Sequence, residues 1–519
     1  MKINRMQNAT RNIAFGLISK AYQMIIPFFM RTAMIYLLGV EYLGLNSLFT
    51  SILQVLNLAE LGVGSEMVYS MYKPIAEDDD VTICALMKLY RIYYRAIGLI
   101  IAIIGVAITP LIPKLISGAV PGDVNLYILY WLNLGATILS YWLFAYKNSI
   151  LSAHQRTDIA NKVLLITNTV KYALQFIVLL VFKNYYYYVI IILLSQVLTN
   201  VLTALVADKL YPKYKPIGSL EKDKVRQINN RIKDLFTAKI GSIVYDSSDT
   251  IVISAFLGLT ALAVYQNYFY IVSSVTAFMS IVFSACTAGI GNSIVVESKE
   301  KNLEDFNKFT MIIAWMSGCC SVIMLCIYQQ FMELWVGKEL MLPILAVVCF
   351  VIYFFVRQLN ALFTVYKDAS GMWHEDRFRP LVAALTNLVL NLILVQFIGL
   401  YGILISTVAA IICVGIPWLL SNLFEVIFDK THITDYIRKL LYYVVTVAFS
   451  CAITYLICSF INFGLIATIL LRTFISLIIP NVIYYFAYRK TNEFKQLILI
   501  VDRITKGKFN KLLIDKKVL

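Results

Sequence analysis

Charge is what this sequence has least of. Only 14% of its 519 residues are Asp, Glu, Lys or Arg, against roughly 25% in a soluble chain. Hydrophobic residues make up 60%, and mean hydropathy is +0.76. That deficit excludes a globular protein with one buried core and fits a chain whose solvent is mostly lipid. Histidine is nearly absent: His154, His374 and His432 stand far apart, with no metal-ligand spacing. No Walker sequence occurs, which excludes ATP hydrolysis by that route. The nine cysteines form no C-x-x-C, so they suggest neither a zinc site nor a disulfide framework. Cys319-Cys320 is the one close pair, and the set reads as small apolar packing residues. No small-residue cleavage site follows the first apolar run, which therefore reads as an uncleaved span.

Long apolar runs are what is present. A span needs about 20 mostly apolar residues. The sequence predicts about fourteen transmembrane helices: 12–38, 43–72, 88–113, 124–150, 160–182, 186–207, 233–258, 261–293, 306–329, 340–366, 380–398, 401–424, 437–459 and 464–488. Basic residues test this count, because Lys and Arg collect on the cytoplasmic side. With both termini placed in the cytoplasm, the inner segments hold Lys2, Arg5 and Arg11, then Lys73, Lys88, Arg91 and Arg95, then Lys147, Arg156 and Lys162. The central loop adds eight cations and the tail nine, whereas the outer loops hold only Lys114, Lys183 and Lys338. The net charge of +15 therefore reads as membrane orientation and not as nucleic-acid binding. The 34 tyrosines fit the same setting, since Tyr favours the membrane–water boundary.

The expected organisation is an all-α polytopic membrane protein with two six-helix lobes in parallel pseudo-repeat plus two C-terminal helices. Residues 1–207 form the first lobe, 208–232 a cytoplasmic linker and 233–430 the second lobe. Residues 431–488 form the last two spans and 489–519 a basic amphipathic tail with an apolar stripe through Phe494, Leu497, Ile498, Val501 and Ile504. Spans one and seven both end in Leu-Gly, at Leu38-Gly39 and Leu257-Gly258; aligning those glycines sets Lys20 opposite Lys239. Tight outer turns are expected at Gly39–Tyr42, Gly258–Thr260 and Gly399–Leu400.

Ionisable groups inside the spans carry the functional signal. Each costs roughly 2.5–3.5 kcal/mol at the bilayer centre, so each faces a cavity or pairs with another. The cations are Lys20, Arg31, Lys171, Lys239, Arg357 and Arg472; the anions are Glu60, Glu66, Asp246 and Asp249. Lys20 and Arg31 are eleven residues apart, about three turns, and share a face. Lys239 and Asp246 share another, with Asp249 near it. One reading is interhelical pairing, Lys20 with Glu60 and Lys239 with Asp246. The other is a net-cationic cavity suited to an anionic ligand, with Arg as a bidentate phosphate fork and Lys as a point charge. Asn387 and Asn391 lie four apart on one face and read as an interhelical hydrogen-bonding stripe.

The stretches LGLNSLFTSILQVLNLAELGVGSEMVYSMYKPIAEDDD (43–80), DSSDTIVISAFLGLTALAVYQNYFYI (246–271) and NLVLNLILVQFIGLYGILISTV (387–408) resemble bacterial polysaccharide repeat-unit flippases. These handle O-antigen, capsule or exopolysaccharide units and belong to the multidrug/oligosaccharidyl-lipid/polysaccharide exporter superfamily. The resemblance implies a V-shaped pair of six-helix lobes around a cationic cavity in the bacterial inner membrane. It implies undecaprenyl-pyrophosphate-linked oligosaccharide as cargo, moved from inner to outer leaflet by alternating access. Lys20, Arg31, Lys239, Lys171 and Arg357 are the candidates for the pyrophosphate. Glu60, Asp246 and Asp249 are the candidates for coupling to an H+ or Na+ counter-ion. No cofactor, metal, nucleic acid or catalytic residue is expected. Membrane lipid is an expected partner, with a polysaccharide polymerase and glycosyltransferases as candidate ones. The rival readings are a drug/cation antiporter of the same superfamily, the peptidoglycan-precursor flippase branch, and a membrane-embedded glycan polymerase. The last is disfavoured by outer loops too short to hold catalytic groups.

Overall fold

The computed structural model describes residues 5–504, apart from the side chains of 5–14, 17, 234, 237, 238, 246, 288 and 500–504. Among the described residues all regular structure is helical. Lipid offers no partner to a backbone N–H or C=O, so each apolar segment must satisfy its own, and the helix does that. In chain order the helices are α1 (Arg5–Leu37), α2 (Val40–Leu56), α3 (Val63–Ala76), α4 (Asp80–Ile108), α5 (Leu126–Trp142), α6 (Asn148–Ala153), α7 (Thr157–Val181) and α8 (Tyr185–Leu210). There follow α9 (Lys222–Val296), α10 (Lys299–Val336), α11 (Ile344–Ser370), α12 (Arg379–Ile398), α13 (Leu400–Ala410), α14 (Ile416–Val426), α15 (Ile433–Ser459), α16 (Leu465–Tyr488) and α17 (Asn492–Ile504).

Among the described residues, eleven stretches are long and apolar enough to cross a membrane, and α5 with α6 makes a twelfth if that pair, bent by 47°, is one span. The count differs from fourteen for two reasons. The expected spans 233–258 and 261–293 fall together in α9, which Gly258 divides with φ 87° and ψ 178°. The expected first span, 12–38, falls in α1, part of whose side chains lie outside the described residues. The three expected tight turns each carry a glycine at positive φ: Gly39 at 132°, Gly258 at 87° and Gly399 at 56°. L side chains rarely enter that region, which is why these residues end one helix and start the next.

The chain divides into two compact units. One comprises residues up to Gln266 together with Pro380–Ile403; the other comprises Asn267–Arg379 together with residues from Leu404 onward. In the first, helices approach closely enough to need glycine. A Cβ at Gly44 of α2 would lie 2.3 Å from the Leu259 carbonyl oxygen, and one at Gly241 would lie 2.3 Å from the Pro380 backbone. Residues 211–221, within the expected linker, are fastened to α4. Lys213 bonds Asp80 at 2.6 Å, Lys88 donates to the Gly218 carbonyl at 2.9 Å, and Tyr214 is buried.

The second unit is centred on aromatic rings. Phe306 packs against Tyr366, Phe428 and Tyr436 at 4.7, 4.9 and 4.7 Å. Arg472, left open between cavity and glue by sequence, is buried here and donates to the carbonyls of Cys326 and Ile461 at 3.3 and 3.0 Å. It ties α16 to α10 and to the end of α15. The helical start of the expected tail, α17, docks on this unit. Phe494 stacks on Trp315 at 6.0 Å and Glu493 accepts from Lys439 at 2.6 Å. The tail beyond 504 lies outside the described residues.

Candidate functional site

The site begins with a break in the second expected span. Helix α2 stops at Leu56, Asn57–Glu60 form a 3-10 turn, and Gly62 adopts φ 88° before α3 starts. Non-helical backbone at membrane depth is tolerated where protein or a cavity replaces lipid. Here α9 presses on the break: a Cβ at Gly62 would come within 2.7 Å of the Leu235 Cβ. The break presents Glu60 sideways to α4 and α5. Tyr94 donates to Glu60 Oε1 and Tyr141 donates to Oε2 at 2.8 Å. Tyr90 in turn donates to the Tyr94 hydroxyl at 2.6 Å, and Tyr141 also reaches Asn57 Oδ1 at 3.2 Å. Glu60 is therefore met by a relay of phenols and not by Lys20. Six residues on, buried Glu66 accepts from Ser70 at 3.0 Å and from Arg231 at 3.3 Å.

The cations separate into groups. Lys20 and Lys239 are exposed along α1 and α9. Lys239 donates to Ser65 Oγ, at the start of α3, at 3.3 Å. Arg31 is half-buried on α1. Lys171 on α7 is half-buried, with its ammonium 4.2 Å above the Tyr172 ring. Tyr22 joins α1 to α7 by bonding Thr169 at 2.9 Å. All four belong to the first compact unit. Arg357 lies in the other unit, half-buried on α11, where it bonds the Tyr353 hydroxyl and lies 5.6 Å over its ring.

The two asparagines of the expected stripe turn out to hold Asp249. Asp249 is buried on α9, and its Oδ1 accepts from Asn387 at 3.1 Å and from Asn391 at 2.7 Å, both on α12. Asn387 also donates to Ser248 at 3.3 Å. All these residues lie in the first unit. The other oxygen of Asp249, Oδ2, lies 3.5 Å from the Tyr265 hydroxyl, so this buried carboxylate is met by carboxamide and phenol groups. The Asp246 side chain lies outside the described residues, so its expected pairing with Lys239 lies there too. Sequence reasoning missed the phenol relay. With 34 tyrosines, nothing marked Tyr90, Tyr94 and Tyr141 apart.

No family profile matches the chain, and no curated protein matches it. Solved structures do. The lipid II flippase MurJ in an inward closed conformation is similar over 92% of this chain and 99% of its own, with TM-score 0.66 and 15% identity. An inward-facing multidrug resistance MATE family transporter of the MOP superfamily is similar over 81% and 99%, with TM-score 0.60 and 13% identity. A MOP superfamily transporter from Pyrococcus furiosus Vc1, described by the reverse polarity of its binding pocket, matches over 82% and 96%, with TM-score 0.53 and 15% identity. This chain therefore shares the polytopic, all-helical membrane fold of these structures. At these identities the likeness is one of fold.

Proposed function

We propose that this chain is a transporter that moves lipid-linked oligosaccharide between leaflets by alternating access, coupled to a proton or sodium gradient. The observation that carries the reading is the placement of its cations: Lys20 on α1 and Lys239 on α9 are both exposed and both belong to the first unit. An exposed ammonium in a span is costly unless something anionic or aqueous meets it. In this reading Lys20, Lys239 and Arg31 bind a pyrophosphate head, with Lys171 as a further contact in the same unit. The fold likeness to a lipid II flippase supports lipid-linked cargo. The three resembling stretches favour a polysaccharide repeat unit over the peptidoglycan precursor. Glu60 and Asp249 are the coupling carboxylates of this reading, with Asp246 a third candidate. Sugars occupy the polar space while the lipid tail stays in the bilayer. Both termini face the cytoplasm of a bacterial inner membrane, and a polymerase and glycosyltransferases act before and after the transporter. We assign it no catalytic chemistry.

The test is export of surface glycan by Lys20→Ala, Lys239→Ala and the double variant, with membrane abundance measured alongside. The double variant should abolish export at normal abundance, and Lys→Arg at either position should retain part of it. Normal export from the double variant would end this reading. A drug/cation antiporter is the second reading, favoured by the buried Asp249 site and by the fold likeness to the multidrug transporter. Efflux of a cationic dye that depends on Asp249 and not on Lys20 or Lys239 would select it.

A further inference from the structure

The first unit holds a cavity lined from α3 and the start of α9. It measures about 600 Å³ and lies between the end of α3 and the first turns of α9. That volume falls within the roughly 300–1,000 Å³ of small-molecule sites. One wall is aromatic: Tyr69 and Tyr72 meet edge to face at 6.3 Å, and both expose about half of their surface. The opposite wall is polar, with Glu221 just before α9 and Asp223, Lys224 and Gln227 from its first turns.

The cavity is built and held. Arg231 bonds buried Glu66 at 3.3 Å and lies 5.2 Å over the Tyr69 ring. Tyr93 of α4 donates to Asn229 at 2.5 Å, and Ile228 is buried beneath. Asp79 caps α4 by accepting from the Thr82 N–H at 3.0 Å, which fixes the rim. Residues 211–221, fastened to α4 as described, hold the first turn of α9 in place. Yet the side chains of Tyr72, Glu221, Asp223 and Gln227 make no hydrogen bond or ion pair among the described residues. Their donors and acceptors are left for a ligand.

The charge balance decides its class. The lining carries Lys73, Lys224 and Arg231 against Glu77, Asp79, Glu221 and Asp223, that is, three cations and four anions. Such a set does not attract a phosphate, which needs an excess of cations. Among the described residues no cluster of His, Cys, Asp and Glu could hold a metal. Mixed donors and acceptors facing two phenol rings suit a neutral polyhydroxylated ring. Its C–H face lies on an aromatic surface while carboxylate, carboxamide and ammonium groups take the hydroxyls. We infer that this cavity binds a pyranose unit of the cargo glycan before the glycan enters the membrane cavity. The inference rests on the transport reading above, on whose topology this face is cytoplasmic. It assigns sugar recognition to a place separate from the cations expected to hold pyrophosphate.

The experiment uses the full chain in lipid nanodiscs and a set of methyl pyranosides as probes. Binding is read by saturation-transfer difference spectroscopy, and glycolipid translocation is measured separately in proteoliposomes. At least one pyranoside should bind saturably. Tyr72→Ala and Gln227→Ala, both at the cavity surface, should each weaken it at least fivefold, whereas the Lys20/Lys239 double variant should leave it unchanged. Absence of saturable binding by every pyranoside would overturn the inference, as would binding that neither variant weakens or that inorganic pyrophosphate displaces. Translocation without pyranoside binding would remove this site and leave the transport reading standing. Pyranoside binding without translocation would remove that reading and leave a sugar site.

Discussion

Asp249 depends on two amides from a helix that lies more than a hundred residues away in sequence. Asn391→Leu removes the 2.7 Å donor and leaves the buried carboxylate short of a partner. An unmet buried group of this kind costs about 1–3 kcal/mol, so the melting temperature of the purified protein should fall by several degrees. Asp249→Asn keeps the shape and removes the charge; transport by that variant should persist down a substrate gradient but no longer respond to an imposed proton or sodium gradient. At the phenol relay, Tyr141→Phe should weaken transport less than Glu60→Gln, because Glu60 retains Tyr94. His154 supplies a pH test outside the spans. It is buried, bonds the Ile150 carbonyl at 2.9 Å and stacks on Tyr211 at 4.2 Å. Burial holds its pKa below the usual value, with the Lys213 charge acting in the same direction. Between that lowered pKa and about 6.5 the unfolded chain binds more protons, so stability rises with pH there. The contribution is complete above about pH 7 and lost as pH falls. Melting curves at pH 7.5 and 5.5 should converge in His154→Phe relative to wild type; an unchanged gap would reject this role. Sequence made Asn387 and Asn391 visible as an i, i+4 pair and Asp249 as a charge in a span. It gave no sign that they meet, because that contact depends on how α9 lies on α12.

At the level of elements, apolar length and basic alternation made most spans legible. Where the helices break was legible only at glycine. The turn at Gly258 was visible, and the conformation explains it: a Cβ there would come within 2.6 Å of the Ser117 carbonyl oxygen at a φ that L residues avoid. Gly258→Ala should therefore destabilise by about 1–3 kcal/mol, read as a lower melting temperature in detergent. The break at Glu60 was hidden, since Asn57–Gly62 reads as a continuing apolar span. It took the packing of α9 against Gly62 to show it. Residues 208–232 read as a linker from their charge and prolines; that 211–221 bind α4 through the Gly218 and Pro216 carbonyls is something no composition reveals. The exposed Lys213–Asp80 pair is worth only about 0–1 kcal/mol, whereas buried Tyr214 is an aromatic anchor. Tyr214→Ala should thus increase proteolysis between α8 and α9 far more than Lys213→Ala does. Equal cleavage in the two would show that the segment is not held by burial.

Across the whole molecule, fold and function were legible to different depths. Hydropathy is enough to specify a polytopic helical membrane protein, because lipid leaves the backbone so few alternatives. The cargo is set by a handful of side chains whose positions depend on packing, and one fold can carry lipid-linked sugars or cationic drugs. The central claim is that the cargo is a lipid-linked oligosaccharide, and it can be tested without choosing a probe in advance. The gene is deleted in its own host, polyprenyl-pyrophosphate lipids are extracted, and their glycans are read by mass spectrometry with leaflet accessibility measured in parallel. The account predicts that one complete oligosaccharide accumulates on the inner leaflet. An unchanged lipid-linked inventory with the surface glycan intact would contradict it.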